Sequence, residues 1–328
     1  MRELLEVEDL RVEFTSRDRP FPVVSDVSFK LRRGRTLGLV GESGCGKSMT
    51  ALSLLRLVPG PAGRIAGGHI WFHDRDLLAL PPKDLTAIRG RQISMVFQEP
   101  MTSLNPVFTV GDQVAEVFRV HLSLDRKESW KRAEEMLRKV GIPDPGERAL
   151  EYPHRMSGGM RQRVLMAIAL ACHPEVLIAD EPTTALDVTI QAQILDLIDA
   201  LREELGTAVL LISHDFGVVA ETADEIAVMY AGRIVEQTDC RRLFSSPWHP
   251  YTLGLLRSRP SPRGRDGEKR RLEAIAGTVP SFDDLPPGCS FEPRCPRRRE
   301  ICRREAPPME EKEKGQWVRC WVPPGEEN

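Results

Sequence analysis

The 328-residue sequence predicts an α/β fold, a sheet of buried strands covered by helices on both faces. Three observations lead there. A glycine-rich loop, Gly41-Glu42-Ser43-Gly44-Cys45-Gly46-Lys47-Ser48, lies between an apolar run at 36–40 and a helix-permissive run at 49–55. Two more apolar runs, 175–180 and 208–213, are bounded by breakers as buried parallel strands are. Between them, 188–205 carries helical periodicity.

The remaining elements follow in chain order. Residues 4–40 read as short strands, with alternation at 10–14 and 27–31 and a turn at Arg33-Gly34. Residues from about 104 to 160 read as helical, with helix formers and an apolar stripe over 125–137. The runs 226–230 and 233–236 flank Ala231-Gly232 and predict a hairpin. After about residue 256 Pro, Arg and Glu rise and long apolar runs vanish. That tail is expected to be a separate module or an irregular extension.

Composition narrows the classes. The net charge of -2 gives no global attraction to nucleic acid or anionic lipid. The longest apolar run, about 164–172, is far short of the roughly 20 residues that span a membrane. The start, 1–9, is too acidic for a signal peptide. A cytoplasmic chain that meets a membrane only through partners is expected. Seven cysteines in that compartment do not suggest a disulfide scaffold.

The glycine loop fits G-x-x-x-x-G-K-[ST], the phosphate-binding P-loop. Glycines let backbone N–H groups close around phosphate oxygens, and the helix start adds partial positive charge. Lys47 can reach β- and γ-phosphates, and Ser48 can offer its hydroxyl to Mg2+. Gly41, Ser43, Gly44, Cys45, Gly46 and Met49 complete the nucleotide-contacting set. Downstream come Val96-Phe97-Gln98-Glu99-Pro100, then Met156-Ser157-Gly158-Gly159-Met160, Asp180-Glu181-Pro182, Ala185-Leu186-Asp187 and Ser213-His214-Asp215.

That ordered set resembles the ATP-binding subunit of an ATP-binding cassette (ABC) transporter over roughly residues 4–255. The resemblance implies a P-loop NTPase (RecA-like) core, an N-terminal antiparallel β subdomain and a helical insertion near 100–160. An irregular Cys-containing C-terminal extension would follow over 256–328. It implies that Gln98 senses Mg2+ and water and links to a membrane partner. Asp180 would hold Mg2+ through water, Glu181 would polarise the attacking water, and His214 would contact the γ-phosphate. Phe14 is either the aromatic that stacks on adenine or a core residue. Ser157, Gly158 and Gly159 would complete the site of another subunit in a head-to-tail dimer. Met156 and Met160 stand where the family usually has Leu and Gln.

The stretch Ser246-Pro247-Trp248-His249-Pro250-Tyr251-Thr252, followed by a Cys-containing tail, is similar to dipeptide, oligopeptide and nickel importer ATPases. The branch implies an ATPase powering peptide import. Its partners would be a second ATPase subunit, two membrane permeases and an extracytoplasmic peptide-binding protein. The rival cargoes are nickel, oligosaccharide and other small solutes. A DNA-repair or translation ABC ATPase would usually carry two cassettes or long coiled insertions. A small-molecule kinase would not need Ser157-Gly158-Gly159 or His214.

Cys289, Cys295, Cys302 and Cys320 are spaced C-x5-C-x6-C-x17-C. Four thiolates can hold zinc or an iron–sulfur cluster, the alternative being four free thiols. The spacing lacks the C-x2-C pairs of zinc ribbons, and the branch resemblance favours a [4Fe-4S] cluster. Arg294, Arg297, Arg298 and Arg299 would offset its charge. Cys45, Cys172 and Cys240 are read as structural.

Overall fold

A computed structural model describes residues 3–16, 19–98, 103–184, 187–258 and 275–324. Two compact units interleave along the chain. The first comprises Met1–Glu6, Lys30–Thr36 and Ile70–Ser213; the second comprises Val7–Phe29, Leu37–His69 and His214–Asn328.

In the first unit, β6 (Ile93–Val96), β7 (Val176–Asp180) and β8 (Ala208–Ser213) pair in parallel. Ile93 faces Val176, and Val176 faces Ala208. Every residue of the three strands is buried. Each large apolar side chain there contributes about 2 kcal/mol, an upper value because the unfolded chain is itself partly collapsed. The helices start where the sequence supplies a cap. Thr109 accepts from Asp112 N–H before α3 (Val110–Leu122), and Asp125 accepts from Glu128 N–H before α4 (Arg126–Lys139). Asp187 does the same for Ile190 N–H before α7 (Val188–Leu205), which ends at Gly206 with φ 66°. Val110, Val114, Ala115 and Phe118 of α3 are buried, as are Ala133, Met136 and Leu137 of α4. The two helices pack on each other and on α6 (Gly158–Leu170), which also packs on β6.

In the second unit, β3 (Thr36–Val40, from Leu37 on) runs parallel to β9 (Glu225–Tyr230). The hairpin of β9 and β10 (Arg233–Asp239) turns at Ala231 and Gly232, both at positive φ, the backbone that two-residue hairpins with matched twist require. Most of β1 (Leu5–Ser16), β2 (Arg19–Leu31) and β4 (Gly63–Phe72) forms a second sheet here, in the order β2-β1-β4.

The tail is neither separate nor wholly irregular. Its strands β11 (Glu310–Glu313) and β12 (Gln316–Val318) form a hairpin, and β12 pairs with β10 at Glu236–Val318. Phe291 enters the core formed by Tyr230, Tyr251, Val228, Phe216 and Leu243. No helix among the described residues is long and apolar enough to cross a membrane.

Candidate functional site

The P-loop belongs to the second unit and ends in α1 (Lys47–Leu54). Its glycines are there because backbone crowds them. A Cβ on Gly41 would sit 2.2 Å from Met229 O, and one on Gly46 would sit 2.8 Å from Val23 O. Gly46 and Gly44 also hold φ of 106° and 77°, where an L side chain is strained. Gly232 N–H donates to Cys45 O at 2.9 Å, so the hairpin turn braces the loop. No side chain caps α1, and its first turn carries no acidic residue. The arrangement fits a phosphate: donors at an uncapped helix start, a backbone no Cβ could share, and a lysine. Lys47 is 5% exposed and folds back to donate to Gly41 O at 2.9 Å and Glu42 O at 3.1 Å. Ser48 and Met49 are half-buried, whereas Ser43 and Gly44 are exposed. Cys45 is buried, and burial pushes its thiol up, consistent with a structural role.

Sequence reasoning missed what holds the second loop residue. Glu42 N–H donates to Tyr251 Oη at 2.9 Å, and both Glu42 carboxylate oxygens accept from Arg294, at 2.7 and 3.0 Å. The bond to Glu42 raises the Arg294 pKa above its ordinary value. Tyr251 is placed in turn by the Ser246–Thr252 stretch. The fully buried Glu236 carboxylate accepts from Trp248 N–H, His249 N–H and Gln316 Nε2, at 2.8, 2.8 and 2.9 Å. His249 Nδ1 then accepts from Tyr251 N–H at 3.1 Å, capping α10 (Pro250–Arg257). Burial pushes the His249 imidazole down to about 3, so it is neutral and can accept. Only the aromatic-rich signature hinted at this, and the partner residues lie far off in sequence.

The two carboxylates that the sequence offers for catalysis belong to the first unit. Asp180 ends β7 and is 3% exposed. Glu181 follows at φ 48°, a left-handed backbone unusual for glutamate, and its N–H donates to Ile212 O at 3.0 Å. Strain of that kind, about 1–3 kcal/mol, persists where it serves to aim a side chain. Glu181 Oε2 accepts from Gln98 Nε2 at 3.0 Å and from Thr184 Oγ1 at 2.8 Å. Thr184 is a partner that the motif order alone did not single out. Ser157 Oγ accepts from Met160 N–H at 3.3 Å and caps α6; Ser157 and Gly158 are exposed and Gly159 is half-buried. Glu99, Pro100, Ala185 and Leu186 lie outside the described residues.

His214 and Phe14 belong to the second unit. His214 is exposed, just before α8 (Phe216–Thr222), whose cap Asp215 accepts from Gly217 N–H at 2.6 Å. Phe14 is half-buried, with its Cζ 2.7 Å from where a Cβ on Gly63 would stand.

The tail cysteines require a correction. Cys289, Cys295, Cys302 and Cys320 all line one small pocket with Phe291, Trp321 and Val322. Yet among the described residues no group of three or more His, Cys, Asp or Glu is placed to hold a metal ion. The expected iron–sulfur [4Fe-4S] cluster is therefore overturned, and the zinc alternative with it. The reason is geometric: the four cysteines line the pocket, but no three of them converge as one ligand set. Burial pushes the Cys289 thiol up to about 11 and Cys295 up to about 12, and raises Cys320. The tail needs no metal to order it, because β12 pairs with β10 and Phe291 is buried in the core. Arg294, expected to offset a cluster, is bound to Glu42 instead.

Comparison with known proteins agrees with this geometry. Residues 24–184 match the ABC transporter family, and residues 235–302 match the oligopeptide/dipeptide transporter C-terminal region. The oligopeptide transport ATP-binding protein AppD of Bacillus subtilis is 50% identical over 98% of this chain and 97% of its own length. The oligopeptide transport ATP-binding protein OppD of Salmonella typhimurium is 48% identical over 98% of this chain and 94% of its own. Among solved structures, the dimeric post-hydrolysis state of the ATP-binding cassette MJ0796, bound to ADP and Pi, is similar with a TM-score of 0.65. It is 26% identical and covers 72% of this chain and 99% of that one.

Proposed function

This chain belongs to the ABC transporter ATP-binding family, in its oligopeptide/dipeptide branch, and on that premise we propose that it hydrolyses ATP to power peptide import. The observation that carries the hydrolytic reading is Glu181, held on strained backbone by the end of β7 and aimed by Gln98 and Thr184. A carboxylate fixed in this way can orient a water and accept its proton, and positioning supplies much of the catalysis in phosphoryl transfer.

The P-loop from Gly41 to Met49 takes the nucleotide phosphates, with Lys47 leaving its backbone carbonyls to meet them. Phe14 stacks on the adenine, and His214 contacts the γ-phosphate. Ser48, Gln98 and, through water, Asp180 are the residues that would hold Mg2+, which would supply charge neutralisation at the phosphates. Ser157, Gly158 and Gly159 serve the P-loop of a second, homologous ATPase subunit. Two permeases and an extracytoplasmic peptide-binding protein complete the transporter, placing this chain at the cytoplasmic face of the membrane. Val107 and Phe108, 71% and 53% exposed in the segment after Gln98, are apolar groups suited to a permease contact. The cassette is expected to span 1–255, with its helical subdomain near 100–160, and the peptide-importer extension 256–328.

The test is Glu181→Gln in the reconstituted transporter. ATP binding is expected to persist while peptide-stimulated hydrolysis and uptake fall by about a hundredfold or more. Turnover at the wild-type rate, with the partner ATPase's own glutamate replaced, removes Glu181 from this role. Competition of labelled peptide uptake by unlabelled peptides, nickel and oligosaccharide identifies the cargo.

A further inference from the structure

The P-loop carries an anomaly for a loop that wraps a polyanion. Its second residue, Glu42, is an acid, and a carboxylate beside the phosphates repels them. The second unit answers that charge from the other end of the chain. Arg294 lies 252 residues away in sequence, in the short helical turn Glu292–Arg294, and its side chain is only 4% exposed. It grips Glu42 through two parallel bonds, which occupy both carboxylate oxygens. Arg294 is itself fixed from three sides. Its Nε donates to Ala276 O at 3.0 Å, its guanidinium lies 5.8 Å from the Tyr230 ring centre, and its stem packs over Gly277. A buried arginine with a fixed stem is a preset counter-charge rather than a loose surface contact.

We propose that Arg294 is a positioning residue for nucleotide binding: by engaging Glu42 it keeps that carboxylate from opposing the phosphates, so the C-terminal extension sets the affinity of the P-loop. The proposal rests on the nucleotide-binding reading above and adds a part to it. Tyr251 orients the same residue through its backbone N–H, whereas Arg294 controls its charge. Two segments beyond residue 245 thus converge on one P-loop residue.

The experiment measures binding of AMP-PNP with Mg2+ to the full-length chain by calorimetry. Wild type against Lys47→Ala tests the reading itself, because loss of binding in Lys47→Ala assigns the P-loop. The inference is tested by Arg294→Met, Glu42→Gln and the double variant. Arg294→Met is expected to weaken binding about tenfold, and the double variant to return to within about threefold of wild type, because the uncompensated charge is gone. Glu42→Gln alone binds at least as tightly as wild type. The gap between Arg294→Met and the double variant also narrows as salt rises, since screening weakens repulsion and leaves a packing defect untouched. Wild-type affinity in Arg294→Met overturns the proposal. So does an equal loss in Arg294→Met and the double variant, which makes Arg294 a docking contact only. If Arg294→Met does not fold, Arg294→Gln, which also removes the charge, replaces it with the same expected pattern; no loss with Arg294→Gln, or tenfold weaker binding with Glu42→Gln alone, likewise overturns it.

Discussion

Two glycine turns open helices in this protein, and they are built in opposite ways. The P-loop is closed and braced from within its own unit: Gly41 abuts Met229 O, Gly232 holds Cys45 O, and Tyr251 and Arg294 hold Glu42. No side chain caps the helix behind it. The turn before α6 is exposed at Ser157 and Gly158, and Ser157 caps its own helix. The first is braced on several sides. The second leaves Ser157 and Gly158 exposed at the helix start, as a surface awaiting another molecule would. The same device, N–H groups at a helix start, serves enclosure in one place and presentation in the other.

The largest expected effect separates them by location. Lys47→Ala should abolish nucleotide binding at this subunit's own P-loop, whereas Ser157→Arg should leave it intact and damage hydrolysis at that of the proposed partner ATPase. Site-resolved photolabelling of the assembled ATPase pair reads both. If the two variants deplete one and the same bound nucleotide, the contrast between enclosure and presentation is broken.

Crowding gives the next contrast. Gly41→Ala drives a methyl into Met229 O and should cost about 3 kcal/mol. In Gly159→Ala the methyl meets only the Ile190 side chain, at 2.9 Å, and about 1 kcal/mol or less is expected, since alanine also favours a helix. Urea midpoints compare them, and similar losses would mean that the second turn is as tightly packed as the first.

The brace on the P-loop should also depend on pH. Unfolded histidine titrates near about 6.5, and buried His249 titrates near about 3. The unfolded chain therefore binds the proton first. Stability is fully present above about 6.5 and drains as pH falls from there towards about 3. His249→Asn keeps a cap acceptor and should flatten stability against pH over that window. An unchanged slope by chemical denaturation would show that His249 is not the titrating group. The smallest effect belongs to Tyr251→Phe, which removes the acceptor for Glu42 N–H and should cost about 1 kcal/mol with little change in fold.

Local signals in the sequence carried far. The helix α7 begins after Asp187 and ends before Gly206, within the span its periodicity marks out, because its cap, its apolar face and its stop lie in one stretch of chain. The β9–β10 hairpin is equally local. The tail strands were not legible: Glu310–Glu313 is all charge and Gln316–Val318 is three residues long, so neither alternates enough to announce a strand. The pairing of β12 with β10 is a long-range event. The site divides in the same manner. Motif order singled out Gln98 and Glu181, but Thr184, Tyr251 and Arg294 gain meaning only through partners that folding brings to them. The cysteine spacing misled because a count of ligand-type residues says nothing of whether folding converges them on one point, and here it does not.

The charged strand β11 has one more consequence. It lies at the margin of the sheet, outside β12, and three of its four residues are glutamates. A sheet margin is a row of unmatched N–H and C=O groups, a template on which a second chain can polymerise. Clothing it in like charge discourages that growth. A chain cut after Arg304 would bare β10, which carries buried Ile234, Val235 and Glu236. Such a chain would become prone to aggregation, a failure of solubility rather than of chemistry.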